Sequence, residues 1–379
     1  MSEGAAMLKT GPAGTAVDLM RGLLAVMVLA SHVIESARLI ITDASVPPWL
    51  EAVFENGGFW VNGFFVLSGF CIHQAILSLR RKGGNFGSSY FLARVTRLYP
   101  LYLVALVLGI LVSGWPGFRH FLSHLLMLQG ITGVMPVIKP AWSLTYEAAY
   151  YVAWPLVLAC CCWRPGRAFG VSLVGTLLLA GALFVAWKRF FMGDVHAPAL
   201  PMALIAAQFP LWLGGALLAQ CWEAWAPRAR PWLLPASVFW IIGAYVAHVW
   251  LLGRHVPVSV LVLLGWLVLP GWLGLVLGST RWPGLLALKP VAGWLGMLSY
   301  PLYILHQPLL DTVVAAVHAR GMHLGFAEAC VILGGFVMAC MGCAGMPLEA
   351  WILRWRACLL KRRRNTTLGQ RASCMAHEH

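Results

Sequence analysis

Long apolar runs separated by short polar stretches dominate the chain. Ten of these runs approach or exceed the length of about 20 residues that an α-helix needs to cross a hydrocarbon core of about 30 Å. They cover 17–38, 57–79, 98–114, 142–162, 168–187, 200–221, 233–252, 257–278, 294–317 and 326–353. A further run, 121–131, is too short to cross and is interpreted as a re-entrant or interfacial segment. The pattern predicts an all-α fold, a polytopic bundle of transmembrane helices.

The placement of lysine and arginine orients these spans, because both are enriched in cytoplasmic loops. With ten spans and a cytoplasmic N-terminus, 20 of the 27 Lys and Arg residues face the cytoplasm. Counting 121–131 as an additional span leaves only 12 of them there. We therefore expect ten spans with both termini cytoplasmic. The expected organisation is an N-terminal segment (1–16), a membrane domain (17–353) and a basic, disordered tail (354–379).

Composition and charge exclude several classes of protein. Apolar residues make up 60% of the chain and charged residues 11%, whereas soluble domains carry about 25% charged residues. This excludes a typical cytosolic enzyme and a disordered regulator. The net charge of +14 is explained by cytoplasmic loops, so no nucleic-acid partner is expected. Because Arg21, His32 and Glu35 interrupt the first apolar run, it is interpreted as a retained span and not as a cleavable signal peptide.

The cysteines do not point to metal or redox chemistry. Most of the ten lie within apolar runs, and Cys340 and Cys343 share the last predicted span. They are interpreted as small apolar side chains. A zinc site would need clustered His, Cys, Asp or Glu ligands at local spacing. The sequence shows no such cluster, so no metal is expected.

Ionisable side chains are concentrated in the first span, where they are costly unless they face protein or water. Asp18, Arg21, His32 and Glu35 are spaced so that they share one helical face. Arg21 and His32 are eleven residues apart, or about 16 Å along the helix axis. The pattern predicts an anion anchor near the cytoplasmic surface and a deeper base, His32, oriented by Glu35. A His–Glu pair that only holds helices together is the alternative.

Two arginines precede the third span. Arg94 and Arg97 are three residues apart and would share one face at a helix start. Guanidinium groups suit bidentate contact with phosphate. The spacing predicts a phosphate contact, and ordinary cytoplasmic-loop charge is the alternative.

Two more ionisable residues lie in later spans. Glu147 follows Trp142-Ser-Leu-Thr-Tyr near the outer end of the fourth span and precedes an aromatic belt. It is either an inert interfacial carboxylate or a group that binds or orients an acceptor. His306 lies inside the ninth span and could share a cavity with His32, whereas His73 is assigned to packing.

Together these residues form motifs that resemble those of the membrane-bound acyltransferase 3 family, the O-acetyltransferases of surface polysaccharides and related glycans. The resemblance runs from about residue 17 to 347. It rests on five elements in the same order as in the family: Asp18-Leu-Met-Arg21 with Ser31-His32, Asn62 to Phe70, Arg94-x-x-Arg97-Leu-Tyr-Pro, Trp142-Ser-Leu with Glu147, Tyr151 and Trp154-Pro, and Ser299-Tyr-Pro with His306-Gln-Pro.

The resemblance implies an enzyme of a bacterial inner membrane that carries an acyl unit across the bilayer. The donor would be cytoplasmic acyl-CoA, with acetyl-CoA expected and succinyl or longer chains left open. The acceptor would be a hydroxyl of a carbohydrate or glycoconjugate on the outer side, in contact with membrane lipid. His32 would act as general base or accept the acyl group transiently. The implied donor-binding residues are Arg21, Arg94 and Arg97, and the implied catalytic residues are His32, Glu35, Glu147 and His306. The sequence indicates no oligomeric state.

The chain departs from the family pattern at two positions. Asn62 stands where the family often has Asp, and Ala148 stands where a second acid occurs, so no acid function is expected at Asn62. Some members carry a C-terminal hydrolase-like domain, whereas this chain is expected to be a stand-alone membrane domain.

A transporter or exporter of a glycan or small metabolite is the alternative function. Ten spans with both termini inside would suit a transporter equally well. Against it, no pair of Gly- or Pro-broken spans recurs between the halves, as inverted-repeat transporters tend to show. A purely structural membrane subunit would leave the ionisable face of the first span unexplained.

Overall fold

The computed structural model of the chain is a bundle of α-helices. It describes residues 11–41, 46–54, 56–81, 86–194, 197–254, 256 and 258–376. These residues contain no β-strand. The predicted all-α membrane fold is confirmed. Lys9 and Lys82, two of the cations assigned to the cytoplasmic side, lie outside the described residues.

The described residues form sixteen α-helices. In chain order they are α1 (Pro12–Ala37), α2 (Pro48–Phe54), α3 (Gly57–Arg81), α4 (Phe86–Ser113), α5 (Phe118–Leu125), α6 (Gln129–Thr132), α7 (Trp142–Cys160), α8 (Pro165–Phe190), α9 (Ala199–Gln220), α10 (Trp222–Trp225), α11 (Leu233–Leu252), α12 (Val258–Leu267), α13 (Leu269–Ser279), α14 (Lys289–Ala319), α15 (Phe326–Cys340) and α16 (Met346–Ala376). A 3₁₀ segment, Pro136–Ala141, leads into α7, and a π-helical turn, Met341–Gly345, joins α15 to α16.

Eight helical segments of the described chain are long and apolar enough to cross a membrane. Each of the ten predicted spans overlaps a helix. The predicted spans 142–162 and 257–278 are not among the eight, because α7 carries Glu147 among polar aromatic residues and the second span is divided between α12 and α13. The count of ten therefore stays a prediction. The segment 121–131 forms parts of α5 and α6, both too short to cross.

One local expectation is wrong. Arg94 and Arg97 do not lie in a loop at a helix start, because α4 already begins at Phe86 and includes both residues. Helix α16 continues from 354 to 376, where the sequence favours a disordered tail, and the expected division into domains stays a prediction. Residues 352–364 contain neither Gly nor Pro and are rich in Arg and Leu, so no helix-breaking residue interrupts the helix there.

Helix α1 lies at the centre of the arrangement that builds the site. It packs along α14 and also contacts α3 and α15. Ala25 and Val28, which share the ionisable face of α1, are buried. Gly22 permits a close approach to α14, since a side chain there would collide with Leu295. The face of α1 that carries Arg21 and His32 is therefore directed into protein.

Helices α3 and α9 approach each other even more closely. A Cβ added at Gly69 would overlap the carbonyl group of Trp212, and one added at Gly215 would overlap that of Val66. Glycine at both positions lets the two backbones meet, as is common between transmembrane helices. This contact fixes α3, which forms one wall of the cavity described next.

Candidate active site

A cavity of about 280 Å³ lies among the helices α1, α3, α4, α7, α14 and α16. Four of the seven site residues that the sequence singles out line it: Arg21, Arg94, Arg97 and Glu147. Arg356, on α16, is a further cation in its wall. We refer to Arg21, Arg94, Arg97 and Arg356 as the arginine cluster. The predicted phosphate contacts Arg21, Arg94 and Arg97 therefore share one cavity, although they come from two helices that are separate in sequence.

Two arginines of α4 are held differently. The Nη1 atom of Arg97 donates a hydrogen bond of 2.5 Å to Oε1 of Glu349, and its guanidinium lies 4.8 Å from the ring centre of Tyr300. Arg94 lies 5.8 Å from the ring centre of Tyr90, and its buried Nε has no hydrogen-bond partner among the described residues. Arg97 is thus fixed by a carboxylate, whereas Arg94 keeps a donor available for a ligand.

Arg21 enters the cavity from α1. Its Nη1 lies 3.8 Å from Oδ1 of Asp18, one turn earlier on the same helix. Both side chains remain partly exposed, at 29% for Arg21 and 44% for Asp18. A half-exposed pair at this distance is a weak one, so Arg21 can turn toward an anion in the cavity at little cost.

Glu147 lies at the end of a chain of hydrogen bonds. Trp212 Nε1 donates to Ser68 Oγ at 3.2 Å, and Ser68 Oγ lies 3.1 Å from Tyr151 Oη. Tyr151 Oη in turn donates to Glu147 Oε2 at 2.9 Å. The sequence groups Glu147 with the acceptor end, but the structure places its carboxylate in the same cavity as the arginines.

His32 is bound to a carboxylate near the end of α1. Its Nδ1 lies 3.1 Å from Glu35 Oε2, and Lys139 Nζ donates to Glu35 Oε1 at 2.6 Å. A carboxylate only accepts hydrogen bonds, so Nδ1 carries the hydrogen and Nε2 of the neutral ring keeps its lone pair. The predicted orientation of His32 by Glu35 thus has the geometry that a general base needs.

His306 faces His32 from α14, and the two are called the histidine pair below. Their ring centres are 5.1 Å apart. His306 is fully buried, and its Nδ1 donates to the carbonyl of Leu302 at 2.8 Å. Its Nε2 has no partner among the residues that the structure describes. Two imidazole rings, each with Nε2 as the potential acceptor, therefore lie side by side.

Tyr303 links the cavity to the histidine pair. It lines the cavity, and its ring centre lies 6.5 Å from that of His306. Its hydroxyl donates to the carbonyl of Pro140 at 3.0 Å and lies 2.7 Å from Ser143 Oγ. The arginine cluster and the histidine pair are therefore two ends of one site, with Tyr303 between them.

The 3₁₀ segment that carries Lys139 is anchored by a buried histidine of α5. His124 Nδ1 donates to the carbonyl of His120 at 2.7 Å, and its Nε2 accepts from the backbone N–H of Met135 at 3.1 Å. Burial lowers the pKa of His124 below its ordinary value. The neutral ring thus fixes the backbone just before Pro136–Ala141.

Several site residues escape the sequence reasoning. Lys139 looks like an ordinary loop cation, and Tyr303 looks like one more aromatic residue of a span. Glu349 and Arg356 fall at the end of the last apolar run, where basic residues usually mark topology. One signal was available: Glu349 is an acid within an apolar run, and such acids tend to be functional.

Other candidate residues lie away from the cavity. His73 is buried, accepts from Trp154 Nε1 at 3.0 Å and contacts Gln220 at 2.8 Å, as its assignment to packing predicts. Asn62 is buried near Gly265 and does not line the cavity. Cys340 and Cys343 are both free thiols. Among the described residues no group of His, Cys, Asp and Glu could hold a metal ion.

Comparison with known proteins matches the chain to a protein family. The sequence profile of the family described as "Acyltransferase domain" matches residues 15–346. A curated relative, "Acyltransferase MdmB" from Streptomyces mycarofaciens, is 27% identical over 153 residues, covering 36% of this chain and 37% of the relative. The chain thus aligns with just over a third of that relative's length. No solved structure matches the chain.

The family match covers most of the chain and includes α1, α4, α7 and α14, which carry all seven site residues predicted from the sequence. The family match favours an acyltransferase over the transporter alternative. The chain is an integral membrane protein and belongs to the acyltransferase 3 family.

Proposed function

We propose that the protein transfers an acyl group, with acetyl expected, from cytoplasmic acyl-CoA to a carbohydrate hydroxyl on the outer side of the membrane. One observation carries this proposal. Tyr303 lines the cavity that holds the arginines and contacts His306, and His306 in turn faces His32, which is bound to a carboxylate. An anionic donor and a proton-accepting base are the two components that acyl transfer from a CoA thioester requires.

The arginine cluster suits the nucleotide part of the donor. Coenzyme A carries a diphosphate and a separate phosphate on its ribose, so it presents several anionic groups to a binding site. Arg94 and Arg97 point from one face of α4, and Arg21 adds a third guanidinium from α1. Charge-assisted hydrogen bonds from guanidinium to phosphate are among the strong ones in proteins. The predicted cytoplasmic position of this end agrees with the side on which acyl-CoA is made available.

The histidine pair suits the chemical step. His32 Nε2 takes the proton of the acceptor hydroxyl while the hydroxyl oxygen attacks the thioester carbonyl. The tetrahedral intermediate then collapses, the C–S bond breaks, and the thiolate of CoA leaves with the proton that His32 returns. Glu35, bonded to Nδ1 of His32, stabilises the imidazolium that exists between the two proton transfers. Transient acylation of His32 is the variant of this mechanism that the family resemblance leaves open.

His306 and Tyr303 position the acceptor in this scheme. The unpaired Nε2 of His306 accepts a hydrogen bond, and it lies on the ring that faces His32. The hydroxyl of Tyr303 is held by the carbonyl of Pro140 and by Ser143. A fixed hydroxyl and a fixed imidazole beside the base supply the orientation on which a bimolecular transfer depends.

A sided assay tests the donor half of the proposal. The purified protein is reconstituted in liposomes, acetyl-CoA is added to one face at a time, and released CoA thiol is measured. Wild-type protein should release CoA only when acetyl-CoA is on the face to which the arginine cluster opens. Substituting Arg94→Ala together with Arg97→Ala should raise the KM for acetyl-CoA by at least about tenfold, because each lost charge-assisted bond costs about 1.5–3 kcal/mol.

The matched control is Arg228→Ala. Arg228 is exposed, bonds the carbonyl of Ala224 in its own segment and does not line the cavity. Its KM should equal that of wild type. An unchanged KM in the Arg94/Arg97 double variant would show that both arginines serve only membrane topology. The absence of CoA release from wild-type protein on either face would refute acetyl-CoA as the donor.

A further inference from the structure

The last helix, α16, begins at Met346, where the match to the family ends. Two of its residues nevertheless reach the arginine cluster. Glu349 bonds Arg97, and Arg356 lines the cavity beside Arg94. We propose that α16 completes the donor's phosphate site: Arg356 binds a phosphate group together with Arg94, and Glu349 is a positioning residue that holds Arg97. This inference rests on the proposed function and deepens it.

The contacts of Arg356 are those of a residue that binds an anion and not those of an ordinary surface cation. Its Nη2 donates to the backbone carbonyl of Ala93 at 3.2 Å, which fixes the guanidinium against α4. Its Nε is buried and has no partner among the described residues. Donors that are removed from water and left unpaired are costly in a protein interior. A phosphate oxygen bound against the guanidinium would satisfy this donor.

The charges around Arg356 also favour the binding of a phosphate. Arg356 lines the same cavity as Arg94 and Arg97, so three cations converge there. Of the three, Arg97 has a carboxylate partner, Glu349, while neither Arg94 nor Arg356 forms an ion pair with a described carboxylate. Glu147 faces the same cavity, but its described hydrogen bond is to Tyr151. Converging guanidinium groups with this surplus of positive charge are suited to a multiply charged phosphate.

Glu349 has no exposure to solvent. One of its oxygens accepts from Arg97, and the other has no partner among the residues described. A buried carboxylate that is paired with one arginine fixes that arginine's direction, while leaving its remaining donors available. Because Glu349 and Arg356 are two turns apart on one helix, α16 delivers both the positioning group and the additional cation.

The experiment measures binding of acetyl-CoA to the full-length protein in lipid nanodiscs by isothermal titration calorimetry. Arg356→Ala should raise the Kd by about 10- to 100-fold, the loss expected for one charge-assisted hydrogen bond. Arg356→Lys, which keeps the charge but loses the planar fork, should lie between wild type and Arg356→Ala. The dependence of Kd on salt should be less steep in Arg356→Ala, since one cation fewer faces the phosphates.

Arg354 provides the matched control. It lies on the same helix, is exposed, bonds the carbonyl of Ala350 in its own helix and does not line the cavity. Arg354→Ala should bind acetyl-CoA with the wild-type Kd. Partial recovery of binding in Arg356→Lys, which restores the charge, separates a binding role from general damage to the fold.

Each outcome decides the inference. A Kd in Arg356→Ala equal to that of wild type overturns it, as does a loss of equal size in Arg354→Ala. If Arg356→Ala does not fold, the comparison of Arg356→Lys and Arg356→Gln with wild type replaces it, and equal Kd values across that series overturn the inference. No binding to wild type is a different failure, because it removes acetyl-CoA as donor and with it the proposed function.

Discussion

Replacing Glu35 with glutamine separates the charge of the carboxylate from its shape. The amide oxygen of glutamine can still accept from Nδ1 of His32, so the ring keeps its orientation, but the stabilisation of the imidazolium is lost. Unit charges about 4 Å apart interact by about 1 kcal/mol in water and about 4 kcal/mol at an effective dielectric constant of 20. The Glu35 side chain is 53% exposed. The interaction energy between its carboxylate and the His32 imidazolium therefore lies toward the aqueous limit, at about 1–2 kcal/mol. We therefore expect kcat for acetyl transfer to fall by about 5- to 30-fold.

The assay is CoA release at saturating acetyl-CoA by protein in liposomes, with Kd measured in parallel. The control is Glu223→Gln, because Glu223 is also an exposed carboxylate in an ion pair, 3.4 Å from Arg81, but does not line the cavity. It should keep the wild-type kcat. A Glu35→Gln variant with wild-type kcat would show that Glu35 does not stabilise charge on His32, and the pair would then be a structural contact between helices.

Two further predictions concern the framework of the site. Gly69→Val should prevent normal packing of α3 against α9, because the new side chain would overlap the backbone at Trp212; overpacking costs about 1–3 kcal/mol or more. The thermal midpoint in detergent should fall clearly, whereas Gly243→Val, where no atom lies within 4 Å of an added Cβ, should leave it nearly unchanged. His124 has a pKa that burial holds below 6.5, so its stabilising contribution is complete above that pH and is lost as the pH falls and the ring is protonated. The thermal midpoint of wild type should therefore fall between neutral pH and about pH 5.5, and that of His124→Gln should change less; equal pH dependence in both would contradict this reasoning.

Most of the helical architecture could be predicted from the sequence. Apolar runs of sufficient length leave the backbone few alternatives to helix within a bilayer, and each predicted span overlaps a helix. The N-terminal extent of α4 could not be predicted from the sequence, because the polar residues after Phe86 resemble a loop as much as an amphipathic helical turn. The same ambiguity hid the continuation of α16 through the basic residues after Ile352.

Periodicity within one helix also predicted part of the site. The eleven-residue separation of Arg21 and His32, and the three-residue separations within α1 and α4, set which side chains share a face. Contacts between distant segments could not be predicted in this way. The bond from Lys139 to Glu35 joins residues 104 positions apart, and that from Arg97 to Glu349 joins residues 252 positions apart. Only the packing of α1, α4 and α14 with their neighbours brings such pairs together.

The most direct test of the central claim is the turnover of radiolabelled acetyl-CoA by His32→Ala compared with wild type, with His318→Ala as the control. His318 is an exposed histidine on α14 whose Nε2 bonds the carbonyl of Leu39, and it does not line the cavity. If His32 is the base, its removal should reduce CoA release by at least about 100-fold, while the Kd for acetyl-CoA stays at the wild-type value and His318→Ala remains active. A His32→Ala protein that still transfers or releases the acetyl group at the wild-type rate would contradict the account.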